Sequence, residues 1–166
     1  LRIELERLAP GEGEQRRLLG LRIDAAAEDG LQVLDGLAET SEVQRTRADL
    51  IATMIRSDFR AKKYEQSFRA AVDRALELEP GNARAWVSSA KPYLFAEPEH
   101  GGDVAEALRR LGRALELDPL LESARLLRAV AYDKSGDPAA AERDWQAALR
   151  ANPECRPARD RLHVTP

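Results

Sequence analysis

The chain has 166 residues, 43% apolar and 33% charged, with a formal net charge of −3 and a single cysteine, Cys155. That balance is globular, and it argues against nucleic acid or an anionic membrane surface as partner, because both recruit strongly basic faces. One cysteine excludes an internal disulfide, and no stretch approaches the roughly 18 uninterrupted apolar residues of a membrane span.

Ala, Leu, Arg and Glu dominate while β-branched residues are sparse, which is the composition of an all-helical protein. Arginine, at 22 residues against 4 lysines, together with heavy alanine usage suggests a GC-rich, bacterial coding genome. The compartment stays open between cytoplasm and periplasm. Residue 1 is Leu, which leaves an upstream signal peptide, lipid anchor or further domain open.

In chain order, residues 1–12 carry Leu1, Ile3, Leu5 and Leu8 and read as a cap or a partial repeat. Over 13–46, Leu18-Leu19-Gly20 followed by Ile23 reads as the first helix of a degenerate hairpin, with a short second helix from Leu31 to about Ala38. Ser41-Glu42-Val43-Gln44 has the form of a capping box opening a long helix toward Ala61. Over 47–82, Phe59, Tyr64, Ser67, Val72, Ala75 and Pro80 repeat a pattern that becomes clear downstream.

That pattern emerges when the chain is laid over itself. An offset of 34 residues pairs Gly102 with Gly136, Asp103 with Asp137, Ala107 with Ala141, Ala114 with Ala148 and Pro119 with Pro153. An offset of 39 pairs Pro80 with Pro119, Ala75 with Ala114, Ala90 with Ala129 and Tyr93 with Tyr132. The five extra residues therefore lie between Tyr93 and Gly102, in an inter-helix loop. This defines one repeat over 83–121 with the insertion, a second over 122–155, and a partial capping helix over 156–166. Within them, small Ala90, Ala107, Ala129 and Ala141 let helices approach, while Tyr93, Leu111, Tyr132 and Trp145 fill the space alongside. Asn82, Asp103 and Asp137 are N-cap residues, Pro138 suits a first turn, and Gly136 suits a helix end.

Trp86, Ser89, Ala90, Tyr93, Ala107, Leu111, Ala114 and Pro119, then Ala129, Tyr132, Gly136, Ala141, Trp145, Ala148 and Pro153, resemble the tetratricopeptide repeat of bacterial proteins. The resemblance implies an all-α, right-handed solenoid of antiparallel helical hairpins, with three to four repeats and degenerate N-terminal ones. It implies a protein-interaction scaffold, not an enzyme, whose first helices line a concave groove for a peptide or helix of another protein. Carried onto this sequence, groove positions are Arg84, Val87, Lys91, Leu94 and Phe95 in one copy and Ser123, Leu126, Val130, Asp133 and Lys134 in the next. Thr53, Ser57 and Arg60 extend the surface, so that Arg60, Lys91 and Lys134 would form a basic channel suited to an acidic or extended segment. Self-association stays open.

No residue set points to chemistry or to a cofactor. His100 and His163 lack ligands at metal spacing, and Cys155 reads as a solvent-facing or half-buried thiol. Gly101-Gly102-Asp103 reads as a turn and cap, and Glu142-Arg143-Asp144 and Arg69–Asp73 read as solvated faces. Trp86 and Trp145 fall on core positions. Pro92, inside a first helix, would kink it, and with Pro98 and the insertion it would open a pocket beside Tyr93 and Phe95. From Lys91 to Pro119 the chain also looks like the periplasmic T component associated with some TRAP transporters. That alternative makes it a ligand-binding accessory of a bacterial transport system; a further one is the regulatory domain of a larger protein.

Overall fold

The computed structural model describes residues 13–55 and 57–163. The cap or partial repeat expected over 1–12 lies outside them, as do the side chain of Phe59 and the last three residues of the expected capping helix. Among the described residues all regular structure is helical, and the chain divides into two compact units, Leu1–Leu78 and Glu79–Pro166.

The first unit contains α1 (Gly13–Asp35), α2 (Ser41–Met54) and α3 (Asp58–Leu78). Here the helix bounds depart from the sequence expectation. The short second helix expected at Leu31–Ala38 is the end of a continuous 23-residue α1. Ala25-Ala26-Ala27-Glu28 are strong helix formers, and Gly30 costs only about 1 kcal/mol. Gly30 also has a packing use, since a Cβ there would press on the Leu50 side chain of α2.

The N-cap of α2 is Thr40, not Ser41: its Oγ1 accepts from the Val43 amide at 3.2 Å, and Ser41 is buried in the first turn. Three residues beyond Thr40 stands Val43, so the reciprocal half of a capping box is missing. The long helix expected to reach Ala61 is broken after Met54. Ile55 is extended, and Ser57 starts a new helix by accepting the amides of Ala61 on its carbonyl, at 2.8 Å, and of Arg60 on its hydroxyl, at 3.4 Å. The core of this unit joins Ala48 and Ile51 of α2 to Phe68, Ala71 and Val72 of α3.

The second unit contains α4 (Ala83–Phe95), a 3-10 turn (Pro98–His100), α5 (Val104–Leu117), α6 (Glu122–Ser135), α7 (Pro138–Ala151) and α8 (Arg156–Leu162). Local chemistry sets its boundaries. Asn82, Asp103 and Asp137 each accept a backbone amide three residues on, those of Ala85, Glu106 and Ala140, at 3.0, 3.1 and 2.9 Å. Gly136 takes φ 80 after α6, and the Asp137 amide reaches back to the Tyr132 carbonyl at 3.0 Å in a Schellman closure. Helix α4 continues one turn past Pro92 to Phe95, and the Ala96 amide bonds the Pro92 carbonyl at 3.0 Å.

The core of this unit packs α4, α5 and α6 through Ala90, Leu94, Ala107, Leu111 and Ala114, and α6, α7 and α8 through Ala129, Ala141, Trp145 and Ala158. Asp144 is not on a solvated face but 4% exposed, on the stripe Ala141, Asp144, Trp145 and Ala148 that α7 turns inward. Both its oxygens accept from Arg128 of α6, at 2.6 and 2.8 Å, with Arg125 at 3.6 Å. Cys155 is buried beneath α8 with Ala158, and burial pushes its thiol above the ordinary value, which makes it a packing group.

Removing Asp144 strands the partly buried Arg128 guanidinium and leaves Arg125 only its bond to the Pro119 carbonyl, so Asp144→Ala should destabilise the protein by about 3 kcal/mol. In a thermal melt that corresponds to a fall in Tm of roughly 6–12 °C. Replacing the pair together, Arg128→Met with Asp144→Leu, should restore most of the loss. A single variant melting with wild type would show that the pair contributes nothing.

Candidate functional site

Helices α4 and α6 are the first helices of two successive hairpins and pack against each other. On α4, Arg84, Val87, Lys91 and Phe95 recur at helical spacing along one side; on α6, Ser123, Leu126, Val130 and Lys134 hold the equivalent positions. The structure assigns these residues different tasks. Arg84 and Phe95 are exposed, the phenyl ring at 57%, and Lys91 is half-buried beside them. Leu126 and Val130 are half-buried against the two core clusters. Val87, at 5% exposure, and Leu94 belong to the core itself, so they support the face from beneath and are corrected from surface positions to packing ones.

The basic channel also changes character. The Lys134 ammonium donates to the Leu94 carbonyl at 2.8 Å, one of the final carbonyls of α4 that no intrahelical amide can reach, and it lies 5.8 Å from the Phe95 ring centre. Lys134 therefore caps α4 from α6 and holds Phe95 in place. Arg60, in the first unit, donates to Asp24 of α1 at 2.7 Å and lies 5.8 Å from the Tyr64 ring, so it is a strut and not a free cation. Asp133 is occupied as well: it accepts from Trp145 Nε1 at 3.4 Å and from Arg161 of α8 at 3.0 and 2.9 Å. Repeat offsets could not show these uses, because each depends on an atom that tertiary packing brings against Arg60, Lys134 or Asp133.

The loop between α4 and α5 is folded down. Gly101 takes φ 85, the Gly102 amide bonds the Glu97 carbonyl at 2.9 Å, and the Asp103 amide bonds the Tyr93 carbonyl at 2.9 Å. A Cβ on Gly102 would overlap the Ala96 carbonyl, so only glycine permits this closure. The space beside Tyr93 is filled by Arg110, whose guanidinium lies 4.6 Å from the ring centre and donates to the phenol oxygen at 3.4 Å. Backbone contacts and an arginine thus occupy the Tyr93 side of the expected pocket, while Phe95 stays exposed. An open groove of about 500 Å³ does exist in the first unit, lined by Leu31, Ile51, Ser67 and Ala71, but its arginines, Arg47 and Arg74, are paired with Asp35 and Glu39.

Beneath Arg110, Glu106 sits in the first turn of α5. Hydrogen bonds from Arg109 and then Arg110 hold its carboxyl at about 2, well below the ordinary 4.5.

Among crystal structures, that of YrrB, a TPR protein with an unusual peptide-binding site, is similar over 90% of this chain and 71% of its own, at 15% sequence identity and a TM-score of 0.60. This chain has the tetratricopeptide-repeat fold. No family model and no curated protein matches the sequence. The tetratricopeptide fold accounts for the alanine, tyrosine and proline positions shared by α4–α5 and α6–α7. No helix among the described residues is long and apolar enough to cross a membrane.

Because the folded carboxyl of Glu106 ionises below its unfolded value, its stabilisation is present above about pH 4.5 and is lost as pH falls toward about 2. Glu106→Gln should therefore lower stability by about 1 kcal/mol at neutral pH and converge with wild type in acid. A stability difference that stays constant from neutral pH down to acid would contradict the ion-pair origin.

Proposed function

We propose that this protein is an interaction scaffold whose α4–α6 face holds an extended segment of another protein. The observation that carries the reading is Phe95, a large apolar side chain left 57% exposed at the end of a well-ordered helix, steadied by Lys134. Aromatic side chains on rigid elements are the commonest anchors of protein interfaces. Lys91 stands one turn before Phe95, and Arg84 lies two further turns back along the same side. An extended segment that places an apolar side chain on Phe95 and a carboxylate near Lys91 would match both. The peptide-binding site named for YrrB supports a peptide as the kind of partner, in the same fold.

The test is selection of binders from a displayed library of acidic peptides, followed by fluorescence polarisation against variants. Phe95→Ala and Lys91→Glu should each weaken binding about tenfold or more, equivalent to about 1.4 kcal/mol, with circular dichroism showing both variants folded. Lys134 is the wrong residue for this test, since its loss would also uncap α4. Selected peptides that bind both variants as tightly as wild type would place the binding face elsewhere.

A further inference from the structure

The outer side of α1 carries a pattern that neither the core of the first unit nor the proposed peptide face uses. Helix α1 turns Leu19, Ile23, Ala27 and Leu34 inward. On its opposite side Leu18, Leu21 and Val33 are 49%, 56% and 65% exposed, and Arg22, Ala25, Glu28 and Asp29 are exposed among them. At about 100° per residue these seven positions fall within an arc of roughly 140°. A solvent-facing helix side is ordinarily polar, and three large aliphatic side chains on one such side are the first sign of a missing partner.

The order of charges along the helix is the second sign. Residues 13–23 hold Glu14, Arg16, Arg17 and Arg22, whereas residues 24–35 hold Asp24, Glu28, Asp29 and Asp35. Basic groups thus lead and acidic groups follow, against the preference of the helix dipole, which favours acids at the start and bases at the end. Several of these charges are used internally: Glu14 pairs with Arg17, Asp24 with Arg60 and Asp35 with Arg47. Arg22, Glu28 and Asp29, all on the outer side, have no ion-pair partner among the described residues.

We propose that this face binds a second copy of the chain, with the two α1 helices antiparallel and crossing at Ala25. Arg22 precedes Ala25 by three residues, and Glu28 and Asp29 follow it by three and four. An antiparallel copy therefore sets Arg22 of one helix beside Glu28 and Asp29 of the other, and the two-fold axis repeats the contact. Leu18, seven residues before Ala25, meets Val33, eight residues after it. Ala25 at the crossing lets the helices approach closely. A parallel arrangement would set Arg22 against Arg22 and the acids against each other, so the charges select the orientation as well as the partner. A single helix pair buries less than a standard interface, and the dimer is accordingly weak and salt-sensitive. This interface lies on the first unit and stands or falls separately from the peptide face on α4 and α6.

Sedimentation equilibrium of the full chain across the micromolar range tests it. Wild type should dimerise, more weakly as salt is raised. Arg22→Glu and the double variant Glu28→Arg with Asp29→Arg should each weaken dimerisation at least about tenfold, because each sets like charges together. An equimolar mixture of the two variants should associate again, since one of the two contacts in the mixed dimer keeps its wild-type signs and the other is restored with its signs exchanged. All three positions are exposed, so circular dichroism melts should show both variants folded. Wild type that remains monomeric, a dimer indifferent to both variants, or a mixture that fails to associate would each overturn the proposal.

Discussion

The distance between helix axes governs everything built on residues 79–166, and that distance is set by side chains no larger than a methyl group. Ala90, Ala107, Ala114, Ala124, Ala129 and Ala148 have no exposed surface at all. Each stands where a neighbouring helix passes, and a larger side chain there would force the axes apart or leave its rotamer. With the backbones so close, Leu94, Leu111 and Trp145 fill the remaining volume. The close approach also brings long polar side chains within reach of the next helix, which is how Arg128 meets Asp144 and how Lys134 meets the end of α4.

From this packing follows the character of the proposed face. A helix pinned by buried alanines, capped at its start by Asn82 and at its end by Lys134, can display an aromatic ring with little loss of freedom on binding. Phe95 occupies that position. The folded loop from Glu97 to Gly102 closes backbone hydrogen bonds on itself, and the Asp103 amide that follows it bonds the Tyr93 carbonyl in the last turn of α4. Beside the same helix, Arg110 stacks on the Tyr93 ring.

The helical fold class and the caps of the second unit were legible because they depend on local residue types at fixed spacing. Asn82, Asp103, Gly136 and Asp137 act where their chemistry places them. The first unit was harder to read. At 21 residues, α3 is half as long again as the 14-residue α5 and α7, so the positions at its end match the repeat while those before it drift out of phase. Between α2 and α3, Ile55 is extended and Ser57 caps the next helix, and the reading of Ser57 as a helical residue is equally local. Of the nominated face, exposed Arg84 and Phe95 could be read from helical position. The burial of Val87 and the engagement of Arg60 and Lys134 could not, since each depends on a neighbour brought in by tertiary packing. Asp144 carried a readable signal that charge patterning obscured: an acid at the centre of an alanine–tryptophan stripe belongs inside, and needs a cation from the facing helix.

The most direct test of the account is a backbone amide NMR titration of the protein with a selected acidic peptide. Shift changes should concentrate at Lys91, Phe95, Val130 and Lys134, with the outward side of α5 and α7 undisturbed. Changes confined to the first unit, or spread over the outer helices of the second, would contradict it.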